Sequence, residues 1–83
     1  MTSFFRTERF KRMYKKLNSE QQNSIKRAIG LMAGNIYHPS LRVKRIKGTT
    51  GIWEASATIG LRITFNREEG VITLRNCGEH DKT

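Results

Sequence analysis

The chain has 83 residues, 36% of them hydrophobic, and sets 16 lysines and arginines against seven acidic residues for a net charge of +9. That length allows one modest core; no apolar run is long enough to cross a bilayer, and a single cysteine, Cys77, excludes an internal disulfide framework. The charge favours an anionic partner, either nucleic acid or an acidic protein, with anionic lipid a weaker third.

The opening Met1-Thr2-Ser3-Phe4-Phe5-Arg6 lacks the extended apolar region of a secretory signal, and one unpaired cysteine suits a reducing cytoplasm, so a cytoplasmic location is expected. Thr2 to Arg6 reads as a short edge strand. Thr7 to Leu17 reads as a helix, because Phe10, Met13, Tyr14 and Leu17 recur at helical spacing. Ser19-Glu20-Gln21-Gln22 has the pattern of a capping box and opens a second helix with an inner stripe of Ile25, Ala28, Ile29 and Met32. Gly34 is its expected stop. Gly30 is costly inside a helix, and close packing is the expected reason for it. The join at Asn18 is short, so the helices form a hairpin. His38-Pro39 begins a crossing loop, with His38 read as capping a turn in preference to serving as a second acid–base group. Leu41 to Gly48 alternates apolar and basic residues, and its first part reads as a strand.

The remaining chain alternates with period two. Trp53, Ala55, Ala57, Leu61, Ile63, Phe65, Ile72 and Leu74 fall on one face; Glu54, Ser56, Arg62, Thr64, Thr73, Arg75 and Cys77 fall on the other. The first hairpin sets Ser56 opposite Arg62 across Thr58-Ile59-Gly60, with Gly60 supplying a left-handed residue. The second sets Phe65 opposite Ile72 across Arg67-Glu68-Glu69-Gly70. That register brings Arg62 opposite Arg75, a repulsion that a bound anion would relieve. Trp53 has core parity, which argues against a base-stacking role. The element order is then strand, two helices, four strands. This is one α+β domain spanning residues 1–83, a small antiparallel sheet with a two-helix hairpin packed on one face.

A polar, basic sheet face leading into Gly78-Glu79-His80-Asp81 suits phosphate chemistry. Two histidines, one cysteine and few carboxylates make no metal-ligand spacing, so no metal and no cofactor are expected. Arg62 and Arg75 present paired donors to phosphate oxygens, and His80 transfers protons near neutral pH. Glu54 is either a general base or the ion-pair partner of an arginine across the sheet. Arg42, Lys44, Arg45 and Lys47 form a basic segment for RNA phosphates, set against the plainer reading of a solvated strand edge.

The run from Phe10 to Leu17, His38-Pro39-Ser40-Leu41-Arg42, Lys44-Arg45-Ile46-Lys47-Gly48, Trp53-Glu54-Ala55-Ser56, Leu61-Arg62-Ile63-Thr64-Phe65 and Leu74-Arg75-Asn76-Cys77-Gly78-Glu79-His80-Asp81 resembles the RelE/ParE toxin superfamily in order and spacing over nearly the whole chain. The resemblance implies a compact α+β fold, a cognate antitoxin, and a bacterial or archaeal source. It implies a type II toxin that cleaves mRNA on the ribosome without metal, with Arg62 on the scissile phosphate, His80 as the group after the last strand, and Lys44 and Lys47 at the rim. Glu54 and Ser56 stand where some RelE-like members carry lysines. The alternatives are a ParE-like, non-enzymatic inhibitor of DNA gyrase and a basic RNA-binding domain without catalysis.

Overall fold

The structure, a computed structural model, describes residues 3–79. Strand β1 (Ser3–Arg6) leads into helices α1 (Glu8–Lys15) and α2 (Ser19–Gly34) and a 3-10 turn at Pro39–Leu41. Strands β2 (Lys44–Arg45), β3 (Ile52–Ser56), β4 (Leu61–Glu68) and β5 (Val71–Glu79) follow. The sheet order is β1-β5-β4-β3-β2. The α+β architecture agrees with the sequence, but the sheet is mixed rather than antiparallel. Edge strand β1 runs parallel to β5, which the long intervening chain permits.

Local chemistry explains the helix limits. Thr7 caps α1, its hydroxyl accepting from the Phe10 N–H at 3.1 Å. The capping box of α2 sits one residue earlier than the sequence pattern suggests. Asn18 Oδ1 accepts from Gln21 N–H at 2.8 Å, and Gln21 Oε1 accepts from Asn18 N–H at 3.1 Å. Asn18 takes the cap because its side chain reaches the third helical N–H from an extended backbone. The helix ends at Gly34 as expected. Gly30 is not a packing requirement: a methyl group there meets nothing within 4 Å.

The expected strand near Leu41 is instead the 3-10 turn. Leu41 is fully buried, and Arg42 closes the turn in the left-handed region (φ 46°, ψ 48°), leaving only Lys44 and Arg45 to pair with β3. Phe10 of α1 and Ile25, Ala28 and Met32 of α2 pack on Ala55, Ile63, Phe65, Ile72 and Leu74 to form the core.

The β3–β4 hairpin has the expected register, with Ser56 opposite Arg62 and the Ala57 N–H on Leu61 O at 2.8 Å. Gly60, however, is not among the residues with positive φ; the turn closes through Leu61 N–H to Thr58 O at 3.3 Å.

The β4–β5 register departs from the simple alternation. The strands run on to Glu68 and Val71, so the turn is Glu69-Gly70, with φ of 49° and 79°. Phe65 therefore faces Leu74, not Ile72. Between Thr64 and Phe65 the register shifts: Thr64 pairs with Asn76, and Arg75 is the extra residue of a bulge. The bulge reverses parity beyond it. Cys77, expected on the polar face, is buried in the core opposite Ile63, and Arg62 faces Gly78 rather than Arg75. Thr7 holds the bulge. Its N–H donates to Leu74 O, and its hydroxyl donates to both Leu74 O and Arg75 O, all at 3.1 Å.

Two substitutions test these local conclusions. Gly30→Ala should raise unfolding stability by about 1 kcal/mol, since helix propensity improves with no clash. Glu69→Asn should stabilise by up to about 1 kcal/mol by easing a left-handed non-glycine residue in the two-residue turn. Urea midpoints that rise with an unchanged slope are the expected result for both.

Candidate active site on the polar sheet face

Opposite the helices, the central strands bring Glu54, Ser56, Arg62, Thr64 and Asn76 together by cross-strand pairing: Glu54 with Thr64, Ser56 with Arg62, Thr64 with Asn76. Glu54, Ser56, Thr64 and Asn76 are each less than a tenth exposed.

The electrostatic centre is Glu54. Its Oε1 lies 3.3 Å from Arg62 Nε and 3.7 Å from Lys44 Nζ. The Glu54 and Arg62 side chains are 11% and 15% exposed, whereas Lys44 is 65% exposed, so the pair with Arg62 is the desolvated one. Neither contact has hydrogen-bond geometry. Glu54 Oε1 and Thr64 Oγ1 are buried polar atoms without a hydrogen-bond partner among the described residues. An ionised oxygen with spare accepting capacity beside a guanidinium is an unusual arrangement in a folded interior.

Arg62 is held from behind. Its Nη1 donates to Thr58 O at 2.8 Å and also to Ile59 O, both carbonyls of the β3–β4 turn. With Nε turned to Glu54, the Nη2 edge makes no bond within the described residues. The guanidinium is oriented and retains one free edge for an anion.

The structure brings Glu54 and Arg62 together and sets Arg75 apart. Arg75 Nη1 donates to Asn66 Oδ1 at 3.2 Å, four positions along β4 from Arg62, or about 13 Å of strand. The two arginines do not face each other. His80 lies outside the described residues. His38 caps the 3-10 turn, its Nδ1 accepting from Ser40 N–H at 3.1 Å. The basic segment is divided. Lys44 faces Glu54, but Arg45 pairs with Trp53 on the other side of the sheet, its guanidinium carbon 5.6 Å from the ring centroid. Trp53 packs against the core, as its parity predicted. Arg42 is exposed after the 3-10 turn, and Lys47 is exposed beyond β2. Asn76 escaped sequence reading because strict alternation puts it in the core; only the bulge brings it to the polar face. No group of three or more possible metal-ligating residues occurs among the described residues.

Cys77 belongs to the core rather than the site. Its Sγ lies 3.9 Å from Phe10 O, and burial pushes the thiol up to about 11.

No protein-family model and no curated protein matches the chain in sequence. Solved structures do match. The chain is similar to YafQ from E. coli strain BL21(DE3), with TM-score 0.82 and 10% identity over 99% of this chain and 97% of that one. It is similar to the RelB-RelE antitoxin-toxin complex from Methanococcus jannaschii, with TM-score 0.77 and 16% identity over 94% and 92%. The YoeB/ParE toxin from Agrobacterium tumefaciens matches at TM-score 0.78 and 14% identity over 95% and 99%. The fold is that of the RelE/ParE toxins. No helix among the described residues is long and apolar enough to cross a membrane.

Within this RelE/ParE-like fold, the Glu54–Arg62 pair should show a coupling of about 1–3 kcal/mol in a double-mutant cycle with alanine, because both groups are largely buried. Lys44→Ala should cost less than about 1 kcal/mol, since the lysine is exposed. A thiol reagent at neutral pH should modify Cys77 only after unfolding. The folded thiol ionises near 11, above its ordinary 9.0, so the unfolded chain loses its proton first. Stability contributed by the buried thiol is therefore complete below pH 9 and declines as pH rises through 9 to 11, which urea titration across that range would show.

Proposed function

We propose that this protein is the toxin of a type II toxin–antitoxin pair and an endoribonuclease that cuts mRNA on the ribosome. The observation that carries this reading is the buried Glu54 oxygen, without a hydrogen-bond partner, beside an oriented Arg62. The fold supports it, since YafQ, RelE and YoeB/ParE are toxins in the structures it resembles.

The substrate's own 2′-hydroxyl can act as the nucleophile. The Glu54 carboxylate, through the oxygen other than the enclosed Oε1, would accept its proton as the 2′-oxygen attacks the adjacent phosphorus. Arg62, through Nη2, would bind a non-bridging oxygen as charge builds there. The P–O5′ bond then breaks, and the leaving oxygen takes a proton, a role for which His80 is the proposed donor. The nucleophile comes from the RNA, so the chemistry calls for no metal. Lys44 would share the Glu54 charge or move to a phosphate when RNA arrives. Arg42 and Lys47 would lie along the RNA path, Arg75 at a point remote from the scissile phosphate, while the Arg45 stack on Trp53 makes Arg45 the weakest RNA contact of the set.

The net charge of +9 calls for a neutralising partner, and an acidic antitoxin fits it. The solved DinJ-YafQ complex is a toxin-antitoxin complex of a protein with this fold.

Expression should arrest growth and truncate translated messages, with naked RNA cut slowly or not at all; primer extension on translated and untranslated message reads this. Intact messages together with gyrase-linked DNA breaks would shift the assignment to the ParE-like inhibitor. Binding to RNA with neither outcome would leave a non-catalytic RNA-binding domain. Arg62→Ala should slow single-turnover cleavage by on the order of 2–4 kcal/mol in activation free energy, and Arg75→Ala by less. Cleavage by Arg62→Ala at the wild-type rate, with circular dichroism unchanged, removes Arg62 from the site.

A further inference from the structure

Beyond Glu54 the outer edge of β3 has no strand partner, because β2 begins only at Lys44, opposite Glu54, and runs from there toward Trp53. The 3-10 turn and α2 approach this edge instead and leave a hollow of about 430 Å³. Three arginines from separate elements line it: Arg27 of α2, Arg42 after the turn, and Arg62 of β4. The hydroxyl residues Ser40 and Ser56 line it as well. No acidic residue does, and neither Arg27 nor Arg42 forms an ion pair among the described residues.

Each arginine is placed by a specific constraint. Arg27 Nη2 donates to Ala57 O at 3.4 Å, which draws the side chain of an otherwise solvent-facing helix position toward the sheet edge. Arg42 stands in the left-handed backbone region, where a residue with a Cβ is disfavoured, and its N–H is tied to Pro39 O at 3.3 Å. Arg62 is anchored by the turn carbonyls of Thr58 and Ile59, which also line the hollow. Three guanidinium groups around one small space repel one another, and among the described residues only Arg62 has a carboxylate partner, Glu54, which lies outside the hollow. An anion would offset the repulsion. Ile59, 87% exposed, forms an apolar lip against which a sugar or base face can lie.

We propose that this hollow binds a second backbone phosphate of a single-stranded nucleic acid, with Arg27 and Arg42 as its ligands and Arg62 shared with the Glu54 site. Arg62 lines the hollow and also pairs with Glu54, so a strand lying over the polar sheet face continues into the hollow without a gap. Only the ligand class, RNA, rests on the ribonuclease reading; the anion site stands on the three arginines. Arg27 is the residue that sequence alone passes over, because a lone arginine on an amphipathic helix reads as part of the solvated face.

The test is equilibrium binding of a single-stranded 2′-deoxy oligonucleotide, which lacks the attacking hydroxyl, across a range of salt. Arg27→Gln and Arg42→Gln should each weaken binding about three- to tenfold and lower the slope of log affinity against log salt by about 0.7. Arg27→Lys should recover most of the salt slope. Arg9→Gln, a charge loss on α1 away from the hollow, should change neither quantity comparably. Thermal melting of each variant confirms the fold. Unchanged affinity and slope in both glutamine variants overturn the proposal, as does a loss no larger than that of Arg9→Gln. Weaker capture of a co-expressed acidic partner with oligonucleotide binding intact also overturns it, and makes the hollow a protein contact. The readout is binding to a strand that cannot be cut. Absence of message cleavage by the wild type would therefore sink the ribonuclease reading while leaving this result to stand or fall separately.

Discussion

One extra residue in β5 decides which side chains meet on the polar face. Without the bulge at Arg75, strict alternation would send Asn76 into the core and Cys77 to the polar side. With it, Leu74 and Cys77 both reach the core, while Asn76 joins Thr64 and Glu54. Thr7 secures this arrangement from outside the sheet hairpin. A single hydroxyl accepts the first α1 amide it can reach and donates to the two carbonyls flanking the irregularity. The position of α1 over the core and the register of β5 are therefore linked through one side chain.

The candidate site gains its character from being small and dry. Glu54 and Thr64 are both buried on this face, yet an oxygen of Glu54 and the hydroxyl of Thr64 have no hydrogen-bond partner among the described residues. A protein selected only for stability would place apolar side chains or a closed hydrogen-bond network here, since a half-satisfied buried network is costly. The ion pair with Arg62 offsets part of that cost, and the turn carbonyls keep the guanidinium from following the carboxylate wherever it moves. The result is a charged pair with a defined orientation and unused bonding capacity on both members.

The basic residues divide into those used within the fold and those available to a ligand. Arg45 covers Trp53 at the sheet edge and Lys44 neutralises Glu54. Arg27 and Arg42 line a hollow that no acidic residue among the described residues enters. Net charge thus overstates the surface available to an anionic ligand in some places and conceals it in others.

The sequence by itself determined the element order, the two amphipathic helices, the register of the β3–β4 hairpin, and the parity that turns Trp53 toward the core and sets Glu54 on the polar face beside Arg62. Each follows from local periodicity or from a hairpin whose two apolar faces must coincide. The resemblance to RelE/ParE toxins added the overall fold, and the solved structures share it. Tertiary structure alone decided the rest. A bulge adds a residue without leaving a mark in composition, so the separation of Arg62 from Arg75 and the burial of Cys77 were not legible. The parallel pairing of β1 joins residues almost seventy positions apart and depends on where the helices return the chain. Arg27 reaches the sheet edge because β2 starts only at Lys44, opposite Glu54, and Ala57 O remains beyond it to accept from the guanidinium. Non-local hydrogen bonds and strand ends select such arrangements, and neither periodicity nor charge along the chain records them.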